Sequence, residues 1–119
     1  GTCVNPHAEG HSAGGSSSGT AVAIACGMAP CGLGTDTAGS IRLPAACNGL
    51  VGFRPSRGRW SGEGVVPIDS LKDTPGPLGL SVRDVALLDA VASGRIGELP
   101  KKISLEACRV GVPDDWIGQ

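Results

Sequence analysis

The sequence predicts an α/β fold, and three features carry the prediction. Short apolar runs end abruptly at glycine, one later run has the periodicity and capping signals of a helix, and a strand-like run follows it. Twenty Gly, nine Pro and a single Phe in 119 residues also describe a tightly turned, loop-rich core, not a helical bundle.

The elements follow in order. Residues 1–19, rich in Gly, Ser, Pro and His, are expected to form an ordered loop, although taken alone they equally suit a flexible linker. Residues 20–26 are Ala, Val and Ile almost without a break and stop at Gly27. Small residues on every side predict a short buried helix that starts near Ser18 or Gly19. Residues 28–35 have room for a short buried strand ending at Gly34, and residues 41–48 for a short helix with Pro44 in its first turn. Residues 50–53 and 64–68 are strand candidates, separated by a turn over 55–62. The clearest element is 81–93. Ser81 and Asp84 start it as in a capping box, Val82, Val85, Leu88 and Val91/Ala92 form one apolar face, and Gly94 ends it. A polar connection over 95–104 leads to a further strand candidate at 108–112. No internal repeat is present.

Composition excludes several function classes. A net charge of −1 and the lack of a basic cluster argue against nucleic acid as a partner. No apolar run approaches membrane-spanning length, and no secretory h-region opens the chain. Five cysteines, at 3, 26, 31, 47 and 108, are odd in number, and three lie in apolar runs. Buried free thiols in a reducing compartment are expected, hence a cytoplasmic location. A start at Gly1 and a stop at Gln119 in mid-pattern suggest a piece of something longer.

Chemistry is concentrated in two glycine loops that carry serines, Gly14-Gly15-Ser16-Ser17-Ser18-Gly19 and Gly34-Thr35-Asp36-Thr37-Ala38-Gly39-Ser40-Ile41-Arg42. A serine hydroxyl needs a positioned proton acceptor to act as a nucleophile, while glycines let N–H groups crowd around a developing negative charge. Ser16 and Ser40 lie 24 positions apart with a helix-like run between them, which suggests a nucleophile and a proton relay. The first loop also fits G-x-S-x-G, but no strand precedes it and both His7 and His11 come before the serines, against the order of a nucleophile elbow. Its P-loop spacing is followed by Thr20 and Ala21 where Lys and Ser/Thr are required. His7 and His11 flank Gly10 without an acidic or Cys ligand cluster, so loop hydrogen bonding is expected and a metal site is not. Cys26 and Cys31 are expected to be core thiols. Asp36 and Arg42 flank Ser40 closely and are expected to brace the loop through a local ion pair or hydrogen bonds.

These two loops, together with Leu43-Pro44-Ala45 and Gly49-Leu50-Val51-Gly52-Phe53-Arg54-Pro55, resemble the amidase signature family over about residues 1–94. The resemblance implies an α/β/α sandwich around a mixed twisted sheet, in a chain several times longer. Residues 1–119 would then be a partial amidase domain, with a relay-serine loop at about 12–19, a nucleophile loop at about 34–42 and the capped helix at about 81–93. It also implies a Ser–Ser–Lys triad. Ser40 matches the nucleophile, Ser16 the relay serine on a cis peptide bond, and Ser17 a supporting hydroxyl. The N–H groups of Thr37, Ala38, Gly39 and Ser40 match the oxyanion hole. Ala38-Gly39 replaces the usual pair of glycines, which the loop tolerates if residue 38 keeps φ negative. The family's lysine lies upstream of the relay serine. The three lysines here, Lys72, Lys101 and Lys102, are all downstream and none matches, so the segment alone is expected to be inactive.

Within the family, Asp73-Thr74-Pro75-Gly76 resembles the mandelamide and indoleacetamide hydrolases; the A subunit of glutamyl-tRNA amidotransferase typically lacks that proline. The function implied is hydrolysis of a small, arylacetamide-like carboxamide with release of ammonia. The alternatives are that A subunit, acting as a glutamine amidase, or a non-catalytic scaffold of amidase fold. The implied partner is a small-molecule amide, with no cofactor or metal; a homodimer of the full-length enzyme is compatible with the reading.

Overall fold

A computed structural model describes residues 1–97 and 103–111. After a loop closed by a bridge between Val4 and Ser12, the chain forms α1 (Ser18–Ala25), β1 (Cys31–Asp36) and α2 (Arg42–Cys47). Then come β2 (Val51–Gly52), β3 (Thr74–Gly79), α3 (Val82–Ala92) and a 3-10 turn at Leu105–Ala107. The strands form one antiparallel sheet in the order β1-β3-β2, with Cys31 opposite Gly79, Asp36 opposite Thr74, and Val51 also opposite Gly79.

Strand alternation sorts the helices into layers. Gly32, Gly34, Gly52 and Leu78 share one face, where Gly32 abuts Thr20 and Ile24 of α1 and Gly52 abuts Ala45 of α2. Gly79, beside Cys31 on the other face, abuts Val85 and Asp84 of α3. The result is an α/β/α arrangement. Its apolar core is Ala21, Ile24, Ile41, Ala45 and Leu78, with Leu50 packed against it. Burying each of the large members contributes about 1.5–3 kcal/mol.

The central strand β3 is absent from the sequence reading because its sequence, TPGPLG, looks like a turn. The register explains how it forms. Pro77 directs its carbonyl to the Phe53 N–H at 3.0 Å, so residues 75, 77 and 79 point towards β2. Thr74, Gly76 and Leu78 therefore keep their N–H groups for the long β1 ladder. Both prolines lose theirs on the side where the partner strand is only two residues long.

The helix over 81–93 forms as expected: the Ser81 hydroxyl oxygen accepts the Asp84 N–H at 3.2 Å, and its hydrogen is donated to the Asp84 carboxylate at 2.6 Å. Its buried face is rotated from the predicted one, to Val85, Asp89 and Ala90, and Val82 is 70% exposed. Asp89 can be buried because Arg59 and the Trp60 indole N–H (2.9 Å) both donate to it. The Arg59 hydrogen bond, then that of Trp60, outweighs burial and holds the Asp89 carboxyl below its usual range.

Three expectations are corrected. Residues 64–68 are turn and irregular backbone and pair with no strand among the described residues; Val66 is 88% exposed, and the Ile68 N–H goes to the Asp73 side chain. Residues 108–111 are not a strand, and Val112 lies outside the described residues. The five cysteines are free thiols, but none is buried: Cys31 is half-buried and the other four are exposed. Ala21 and Ile24 occupy the inward side of α1, and Cys26 lies beyond its end.

Candidate active site

The two serine loops meet where α1 and α2 begin. The Gly15–Ser16 peptide bond is cis, and Ser16 is exposed on the surface. The next residue makes the junction: the Ser17 N–H donates to the Ser40 carbonyl at 3.1 Å. The Ser17 hydroxyl also reaches back to Thr35, accepting its N–H and donating to its carbonyl, each at 3.4 Å. This close approach requires Gly34, since a Cβ there would lie 2.5 Å from Ser17 Oγ. The hydroxyls of Ser16 and Ser40 carry no hydrogen bond among the described residues.

Asp36, fully buried at the end of β1, folds the second loop around its carboxylate. It accepts the N–H groups of Gly39 (2.8 Å), Ile41 (3.1 Å) and Arg42 (3.4 Å). It is also held by the Arg42 guanidinium at 3.1 and 3.2 Å and by Arg54 Nε at 3.4 Å. Burial pushes the carboxyl up, but the Arg42 side chain and the three amides outweigh it and bring the pKa down to about 2. Gly39 adopts φ 124°, a conformation that suits glycine, whereas Ala38 is not among the positive-φ residues. The loop therefore accommodates Ala38-Gly39.

The four amides expected to form an oxyanion hole, those of Thr37, Ala38, Gly39 and Ser40, differ in how they are engaged. The Gly39 N–H is already committed to Asp36, whereas those of Ala38 and Ser40 have no acceptor among the described residues. Thr37 is anchored through its side chain, its hydroxyl donating to Asp73 Oδ1 at 2.6 Å. Asp73 Oδ2 in turn accepts the N–H groups of Ile68 (2.6 Å) and Asp69 (2.9 Å). The Thr37 hydrogen bond is the main cause holding the Asp73 carboxyl below its usual range. A cavity of about 430 Å³ opens beside Asp73, lined by Arg57, Trp60, Val65, Pro67 and Pro75 among others.

Sequence reasoning missed the residues that lock the loops from a distance. Asn48, buried, donates from Nδ2 to the carbonyls of Ala13 (2.8 Å) and Pro44 (2.7 Å), tying the start of the first loop to α2. Asn5 donates to Ser12 and Cys47, and His7 meets the Asn48 carbonyl at 3.2 Å. The two histidines thus bond to loop backbone, His11 to Glu9, and among the described residues no three His, Cys, Asp or Glu side chains gather as metal ligands. No described helix is long and apolar enough to cross a membrane. Arg54 and Asp73 lay within recognised motifs, and that was the available signal.

The amidase family profile matches residues 1–113. The chain belongs to the amidase family. This amidase chain is 46% identical over 113 residues to the indoleacetamide hydrolase of Pseudomonas savastanoi, covering 95% of itself and 25% of that protein. It is 48% identical over 103 residues to the mandelamide hydrolase of Pseudomonas putida, covering 86% of itself and 20% of that protein. Among solved structures it superposes on the A subunit of glutamyl-tRNA(Gln) amidotransferase from Thermotoga maritima with a TM-score of 0.73 and 42% identity, over 75% of this chain and 20% of that one. The amidase chain thus spans between a fifth and a quarter of the curated relatives it matches.

Proposed function

We propose that the whole protein hydrolyses a small carboxamide through an acyl-enzyme on Ser40. The supporting observation is the junction of the loops: the 3.1 Å Ser17–Ser40 backbone bond sets the cis-linked Ser16 beside a loop with undonated amides at Ala38 and Ser40. In this reading Ser40 Oγ attacks the amide carbonyl and gives its proton through Ser16 to a neutral lysine, whose pKa is lowered by burial. That lysine comes from outside residues 1–119. Lys72 is paired with Asp69 at 3.2 Å, and Lys101 and Lys102 lie outside the described residues. The N–H groups of Thr37, Ala38 and Ser40 receive the oxyanion. Each such donor typically contributes about 2.7–4 kcal/mol to the transition state. The relay then protonates the leaving nitrogen, the C–N bond breaks and ammonia departs. Water attacks the acyl group in turn, and the acid leaves as Ser40 regains its proton.

For the substrate, arylacetamide-like amides are favoured. The relatives named as indoleacetamide and mandelamide hydrolases, at 46% and 48% identity, support that choice, as does the Asp73-Thr74-Pro75-Gly76 form. An aryl ring buried in a pocket contributes roughly 25 cal/mol per Å² removed from water, which glutamine does not offer. The whole protein should release ammonia from indoleacetamide or mandelamide without ATP or tRNA. Ser40→Ala should abolish both turnover and labelling by a fluorophosphonate. Stoichiometric labelling that persists in Ser40→Ala reassigns the nucleophile, and turnover only with glutamine, ATP and charged tRNA reassigns the function to the amidotransferase reading.

A further inference from the structure

We propose that Asp73 is a positioning residue for the reaction: through the Thr37 hydroxyl, its carboxylate sets the direction of the Thr37 and Ala38 N–H groups that receive the oxyanion. The inference rests on the reading of Ser40 as nucleophile. Its basis is how the loop is held. Asp36 fixes Gly39, Ile41 and Arg42 by their amides, but among the described residues only the Thr37 hydroxyl ties down the stretch before Gly39. That bond, at 2.6 Å, has the length of a hydroxyl donating to a carboxylate, a class roughly twice as strong as neutral pairs.

The sheet makes the pairing. Asp36 lies opposite Thr74, so Thr37 and Asp73 are the next pair beyond the last rung of the β1–β3 ladder. Asp73 is itself fixed, since its second oxygen accepts two amides of the turn over residues 68–69. The Ala38 N–H belongs to the peptide plane that leaves Thr37. A rotation of Thr37 would therefore swing an oxyanion donor away from its target. Small misplacements of this kind cost up to about 100-fold in rate.

The test is made in the whole protein with Thr37→Val, which removes the hydroxyl at nearly constant shape, with Thr37→Ser, which restores it, and with Asp73→Asn. Thr37→Val should lower kcat for indoleacetamide hydrolysis and the rate of fluorophosphonate labelling by about 10- to 100-fold. KM and the affinity of a non-covalent competitive inhibitor should stay within about twofold, a split that a merely structural role would not give. Thr37→Ser should recover most of the lost rate, and Asp73→Asn combined with Thr37→Val should be no slower than Thr37→Val alone. If Asp73→Asn does not fold, the Thr37 pair decides alone. A Thr37→Val enzyme within about twofold of wild type, or a Thr37→Ser enzyme as slow as Thr37→Val, overturns the proposal. Ser40→Ala run alongside separates the two levels. If it abolishes labelling while Thr37→Val labels at the wild-type rate, only the role of Asp73 falls; labelling that survives Ser40→Ala overturns both.

Discussion

Replacing Asp36 by Asn tests the loop at its buried centre. The carboxylate collects three backbone N–H groups and two guanidinium groups in a fully buried position. Its pKa falls from the ordinary 3.8 to about 2. At 1.36 kcal/mol per unit, that difference corresponds to about 2 kcal/mol of stability carried by the ionised form. Asn approximates the protonated acid in shape and charge, so Asp36→Asn should destabilise the whole protein by about 2 kcal/mol at pH 7. Because the folded-state pKa lies below the unfolded-state one, the stabilisation is complete well above pH 3.8, declines as pH falls through 3.8 and is lost as it passes about 2. Urea unfolding of both proteins from pH 7 down to pH 2 measures it. The gap between the two curves should be constant above about pH 5 and should close towards the acid end. A gap below about 0.5 kcal/mol at pH 7, or one that does not change with pH, refutes the electrostatic reasoning.

Gly34→Ala should disturb the junction of the loops, since the new Cβ would lie 2.5 Å from Ser17 Oγ and 3.1 Å from Ile41 Cγ1. A loss of about 1–3 kcal/mol in urea unfolding, with a fall in amide turnover, is expected; wild-type values for both would show that Ser17 can move aside freely. Ser81→Ala removes the acceptor for the Asp84 N–H and should lower stability by about 1 kcal/mol. Turnover well below the unfolding range should stay at the wild-type level, because among the described residues no hydrogen bond joins α3 to either serine loop.

What the sequence made legible is whatever is written locally. The capped helix showed because Ser81 and Asp84 are three residues apart, and the serine loops showed because their glycines and hydroxyls are contiguous. The strand β3 stayed hidden because TPGPLG obeys turn chemistry, and only the two-residue length of its neighbour β2 makes the missing proline donors harmless. Residues 64–68 erred the other way: an apolar run has strand propensity, but without a partner edge it becomes a surface loop. The bracing residues were illegible for a related reason. Thr37 and Asp73 are 36 positions apart, Asn48 and Ala13 are 35, and Asn5 and Cys47 are 42. No pattern within a window of sequence links such pairs, so their roles emerge only once the sheet has set the register. The Asp36–Arg42 pair, six positions apart, was read correctly for the converse reason.

Between β1 and α2 the loop is fixed at alternate residues. Thr37 is held by Asp73 through its hydroxyl, and Gly39 and Ile41 are held by Asp36 through their amides. The intervening Ala38 and Ser40 keep their N–H groups without an acceptor among the described residues. Because the two carboxylates hold neighbours of these amides and not the amides themselves, the donors can be rigid and unsatisfied together. Donors of that kind need no reorganisation when an oxyanion forms, which is the condition under which they contribute most to a rate. On the reading of Ser40 as nucleophile, the acids, and not the glycines alone, would suit this loop to acyl transfer.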